Sequence, residues 1–109
     1  MASAAKTLSA PESRTYDIEL STLLGKRTGS LGLQISGKQF SGILHLMKAE
    51  NPVHGHLLEG GICRIAGSIR TRMNTYPFEG EGLLLPESID LLLRCAGLSL
   101  PLRGSRKEE

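Results

Sequence analysis

Tryptophan is absent from this 109-residue chain, and two tyrosines and two phenylalanines are its whole aromatic complement. Any core must therefore be aliphatic, built mostly from leucine and isoleucine. Stacking of single-stranded nucleic acid on aromatic platforms has few side chains to use, and a net charge of +2 is too small to demand a polyanionic partner. Cysteine is scarce: Cys63 and Cys95 stand far apart and neither belongs to a CxxC, which argues against a disulfide framework or a structural zinc site and for two reduced, buried thiols. No apolar run reaches the roughly 18 residues that span a bilayer. The opening residues, with Lys6, Glu12 and Arg14 among polar neighbours, do not read as a secretory signal. The default location is cytoplasmic, extending to the membrane periphery. There is no Gly-x-Ser-x-Gly, His-Glu-x-x-His or Gly-x-x-x-x-Gly-Lys-Ser/Thr, so a non-enzymatic protein without cofactor or metal is expected.

What is present divides into a small polar leader (1–13), one domain (14–103) and a charged tail (104–109). Tyr16, Ile18 and Leu20 alternate with Asp17 and Glu19, the signature of a half-buried strand. Residues 23–28 read as a connecting loop. The glycine-bearing stretch Gly29-Ser30-Leu31-Gly32-Leu33 then reads as a turn feeding a strand over 31–36, followed by a polar turn and a second strand over 42–48, plausible partners in a hairpin. Such a glycine-rich turn can converge backbone N–H groups into an anion-binding nest. Asn51-Pro52 and Gly60-Gly61 mark turns, with at most one helical turn at His54-Gly55-His56. Residues 62–66 read as a strand, and 68–82 as a short strand followed by a loop. Residues 86–96 read as the one long helix: Pro86 at its first position, Glu87 at the positive end of the dipole, an apolar stripe of Ile89, Leu92, Leu93 and Ala96, and Gly97 as cap. Leu98, Leu100 and Leu102 make a last strand, placed at a sheet edge because Pro101 lacks an N–H. The expected fold is mainly β with one long helix (α+β), a partly open antiparallel barrel or sandwich capped by that helix.

These features resemble a PDZ domain. Ser30-Leu31-Gly32-Leu33 is similar to the Gly-Leu-Gly-Phe carboxylate-binding loop of that family, Gly42-Ile43 to the start of its third strand, Leu58-Glu59-Gly60-Gly61-Ile62 through Ala66-Gly67 to its fourth-strand segment, and 86–97 to its second helix. The resemblance implies recognition of a partner's C-terminal peptide by β-augmentation. The peptide would lie alongside Leu33 to Gly37, a stretch that includes Gln34 and Ser36. Its carboxylate would accept bonds from the amides of Leu31, Gly32 and Leu33, with Ser30 opening the loop and Lys26 or Arg27 in support. Leu31, Leu33, Ile35 and Leu93 would hold its last side chain, and Ile89 would also belong to the peptide site. Asp90 would face the groove, and Pro86 would stand where the family often has histidine. The second reading is a PDZ-like structural or dimerising domain that binds no C-terminus, with a homodimer as its partner.

Plainer readings stand beside each residue. Leu33, Ile35 and Leu93 can be ordinary core, Lys26 and Arg27 a solvated pair, and Asp90 merely exposed. His54 and His56, with Cys63, invite a metal reading that two ligands in a turn do not sustain. Arg64, Arg70 and Arg72 suggest weak contact with anionic lipid, or simply a hydrated face.

Overall fold

The computed structural model describes residues 12–107. Eight antiparallel strands form one closed barrel in chain order: β1 (Glu12–Thr22), β2 (Gly25–Ser36), β3 (Gln39–Leu46), β4 (Ala49–Leu57), β5 (Ile62–Arg70), β6 (Thr75–Leu84), β7 (Ser88–Cys95) and β8 (Leu98–Arg106), with β8 returning to pair with β1. A single 3-10 turn, Glu59–Gly61, is the only helical element among the described residues. Residues 1–11, most of the expected leader, lie outside the described residues, and Glu12 and Ser13 begin β1. The strand β8 runs through residues assigned above to the tail.

The barrel overturns the expected α+β class and the PDZ resemblance, because no long helix exists among the described residues. Residues 86–96 form a turn and then β7. The run Leu91-Leu92-Leu93 satisfies a helical stripe and a strand alternation equally well. Pairing with β6 on one side and β8 on the other decides for the strand, which buries Ile89, Leu91, Leu93 and Cys95 and turns Leu92 outward. The last strand is no edge either. Pro101 is tolerated in β8 because it lies just past Leu102, where the register with β1 stops.

Inward side chains fill the barrel with Leu, Ile, Phe and Tyr, which makes it a packed core rather than a pore. Glycine is the second component. Across the ladders, inward positions run Phe40, Gly55, Ile65, Gly80, Leu93 in one row and Ile89, Gly104, Ile18, Gly29, Leu46 in another. Large and absent side chains thus alternate around the wall, which lets a narrow barrel close. A Cβ at Gly55 would lie 2.1 Å from the Arg64 carbonyl oxygen and 2.5 Å from Cζ of Phe40. The strands are strongly staggered. A walk across paired residues from Arg14, near the start of β1, passes Leu33, Gly42, Val53, Gly67, Phe78 and Cys95 and ends on Leu98, beside the turn at the opposite end.

Two seams are short. The β1–β8 and β4–β5 registers hold five residue pairs each, fewer than any other pairing in the ring. Where β4 and β5 part, the buried Asn51 stitches them: its Nδ2 donates to the Leu44 carbonyl (2.9 Å) and, at 3.4 Å, to that of Ala49, and its Oδ1 accepts from the Arg70 N–H (2.8 Å). At the other end Tyr16 is fully buried and donates its hydroxyl to the Leu85 carbonyl (2.6 Å), with Arg14 held over it by Glu12. Both ends are therefore closed by satisfied polar groups.

Candidate functional site

The residues expected to form a peptide groove are dispersed by this topology. Ser30, Leu31, Gly32, Leu33, Gln34, Ile35 and Ser36 all lie within β2, which has β1 on one side and β3 on the other. Leu31 pairs with Tyr16 and Leu44, Gly32 with Thr15 and Ile43, and Leu33 with Arg14 and Gly42, so this stretch is ladder and not a turn. A closed ring has no free margin to which an incoming strand could add. Binding between a strand and a long helix, and with it the PDZ reading in both its forms, is thereby withdrawn. Leu31, Leu33, Ile35, Ile89 and Leu93 do meet, but inside the core. Asp90 points outward and pairs with Arg103 at 3.5 Å. Pro86 occupies the β6–β7 turn, at the opposite end of the barrel from Lys26 and Arg27.

The outer wall is indented where inward glycines draw the strands in. The dent over Gly55 and Gly80 has a volume of about 370 Å³ and carries His54, His56, Arg64, Glu79, Glu81 and Arg94. Two of its charges satisfy each other: Arg94 donates to both Glu81 oxygens at 2.6 and 3.1 Å. That hydrogen-bonded pairing lowers the Glu81 carboxyl pKa and raises that of the Arg94 guanidinium. Cys63 faces the interior, away from both histidines, and among the described residues no three His, Cys, Asp or Glu side chains group to hold a metal. Burial pushes the Cys63 thiol up to about 11 and raises Cys95 as well, so both stay protonated.

The hairpin end is different. Because the chain meanders, the turns β1–β2, β3–β4, β5–β6 and β7–β8 all project from the same end of the barrel. Leu23 and Leu24 are 80% and 82% exposed, Met73 85%, and Met47 and Leu98 lesser amounts. Two of these turns share one construction. Thr22 Oγ1 accepts from the Leu24 N–H and donates to the Gly25 carbonyl. Thr71 Oγ1 accepts from the N–H groups of Met73 and Asn74 and donates to the Asn74 carbonyl. The threonine hydroxyl satisfies the turn backbone, and the apolar side chain is left in water. In the β3–β4 turn Met47 and Lys48 both adopt left-handed backbone, φ 53° and 62°, a conformation usually reserved for Asn-Gly. Lys26, Arg27, Lys48, Arg70 and Arg72 surround these tips. Arg64 stands apart, beside Glu81 on the wall.

No family model, curated protein or solved structure matches the chain. The functional reading therefore rests on geometry. Sequence reasoning placed Arg70, Arg72, Lys26 and Arg27 among its candidates but missed Leu23, Leu24, Met47 and Met73. The available signal was their position: apolar side chains inside turns, where polar residues are the rule.

No helix among the described residues is long and apolar enough to cross a membrane. The barrel wall has apolar side chains inside and charged ones such as Asp17, Glu19, Arg64, Glu81, Asp90 and Arg103 outside, the reverse of a membrane-spanning barrel.

Proposed function

We propose that this chain is a non-catalytic interaction module that binds through the hairpin end of its barrel and not through its interior. The carrying observation is the exposure of Leu23, Leu24 and Met73 on turns ordered by threonine hydroxyls, at one end of a barrel whose inside is filled. Three large apolar side chains held in water by an ordered backbone cost free energy that contact with an apolar surface would recover. The titratable groups favour binding over chemistry. Arg94–Glu81, Arg103–Asp90 and Lys26–Glu19 are paired on the surface, and the thiols are kept neutral by burial.

Titration with zwitterionic dodecylphosphocholine micelles, followed by amide and methyl NMR, tests the proposal. Shifts confined to the four turns at the hairpin end are expected. Shifts centred on the interior methyls of Leu31, Leu44 and Leu93 would overturn it.

A further inference from the structure

We infer that the surface docked by the hairpin end is an anionic lipid bilayer. This rests on the hairpin-end reading and names its partner. All four turns of that end carry or adjoin a large apolar side chain: Leu23 and Leu24, Met47, Met73, and Leu98 just after the last turn. They surround the barrel mouth, so a single flat surface meets more than one of them at once. A bilayer offers such a surface.

Charge selects the kind of bilayer. Lys26, Arg27, Lys48, Arg70 and Arg72 lie in or next to these turns, against Glu50 and against Glu19, which is already tied to Lys26 at 3.6 Å. Basic side chains behind an apolar tip suit a layer whose phosphates lie above its hydrocarbon. The opposite end gives an internal contrast. Leu58 and Leu85 are exposed there too, but Glu59 follows the first and Glu87 lies two residues past the second. Arg14, Lys38, Arg106 and Lys107 at that end are set against Glu12, Glu59 and Glu87, so the surplus of positive charge is larger at the hairpin end.

The β3–β4 turn supplies an independent sign. Met47 and Lys48 occupy consecutive left-handed positions at which asparagine and glycine are far less strained. Strain retained in a turn points to a use for its side chains, and methionine followed by lysine is an apolar tip with a cation behind it. A second copy of this chain is a poorer occupant, because an end-to-end pair would press two basic collars together. Nucleic acid would engage the cations and leave the leucines idle.

The test is co-sedimentation of the full chain with phosphatidylcholine vesicles, with and without phosphatidylserine. Comparison proteins are Leu23→Ser/Leu24→Ser/Met73→Ser and Arg70→Glu/Arg72→Glu, whose changed side chains are exposed and leave the core intact. The native chain is expected to partition onto phosphatidylserine vesicles and hardly onto phosphatidylcholine alone, and to be released by salt. Each basic residue near such a surface is worth about fivefold in partitioning, so the double reversal loses at least about 25-fold. Burial of leucine side chains contributes about tenfold each, so the triple serine variant loses more than that. Absence of a phosphatidylserine preference overturns the inference while leaving the micelle result, and so the hairpin-end reading, standing. Binding that survives the serine variant, or leucine-dependent self-association without lipid in light scattering, overturns it as well.

Discussion

Asn51 offers the sharpest test of how the barrel is held shut. Replacing it with leucine keeps much of its volume but removes the amide that joins Leu44, Ala49 and Arg70 across the β4–β5 seam. The Leu44 carbonyl bond is buried, and losing its partner costs about 1–3 kcal/mol. The Arg70 N–H bond is partly buried, so water replaces some of it and the cost falls at the lower end of that range. The new leucine returns about 1–2 kcal/mol of apolar burial. At mid-range these terms leave a net destabilisation of about 1.5 kcal/mol. For a domain of this size each kcal/mol lowers Tm by roughly 4–8 °C. Urea unfolding followed by far-ultraviolet circular dichroism reads it, since the chain has no tryptophan. The midpoint should fall with the m-value unchanged, marking a loss of stability rather than a change of compactness. Asn51→Asp supplies a control of sign. A buried carboxylate facing the Leu44 carbonyl holds its proton more tightly in the folded state. The variant should therefore be most stable in acid and weaken as pH rises past the ordinary aspartate value near 4. If Asn51→Leu unfolds within about 0.5 kcal/mol of the native chain, the amide is not what closes the seam, and the reasoning fails.

Gly55→Ala should destabilise by about 1–3 kcal/mol in the same urea assay, through overlap with the Arg64 carbonyl and the Phe40 ring. Adding Phe40→Leu should recover part of that loss only, since the carbonyl remains. Met47→Asn with Lys48→Gly should raise stability by roughly 1–2 kcal/mol by relieving left-handed strain, yet weaken vesicle binding; a variant improved in both would detach the strain from function. The thiol of Cys63 is raised from an ordinary value near 9 to about 11 in the folded state. Its stabilising contribution is therefore complete below pH 9 and is lost as pH climbs through 11. Denaturation midpoints measured across that window should drop more steeply for the native chain than for Cys63→Ala.

Much of the wall was legible in the sequence. Tyr16, Ile18 and Leu20 announce β1 by their alternation, and the polar turn expected over 37–42 is narrower, Gly37 and Lys38 only, with 39–42 already in β3. Past the short strand expected over 68–72, residues up to 82 read as a loop because two of the inward positions of β6 are Gly80 and Gly82. Where the inward residue has no side chain, the hydrophobic alternation disappears from the sequence although the strand persists. The same glycines that let the barrel close thus hide its strands. Helix was expected over 86–96 because three consecutive leucines fit either period, and only distant pairing decides between them. Closure itself is the least local fact of all: it joins Tyr16 to Arg106, and no window of sequence contains both. The peptide site failed for that reason, since its residues were assigned to a margin that the ring does not possess. The exposed leucines carry no periodic signal, because inside a turn an apolar side chain marks neither a strand nor a helix.

The two five-pair seams stand on opposite sides of the ring, with β1 to β4 between them on one side and β5 to β8 on the other. The molecule is in that sense a pair of four-stranded half-shells, joined covalently only through residues 58–61. A chain severed there would yield two fragments with matching rims, each a template for the other. Reassembly of such fragments would make the barrel a reporter of proximity between whatever the two halves are fused to.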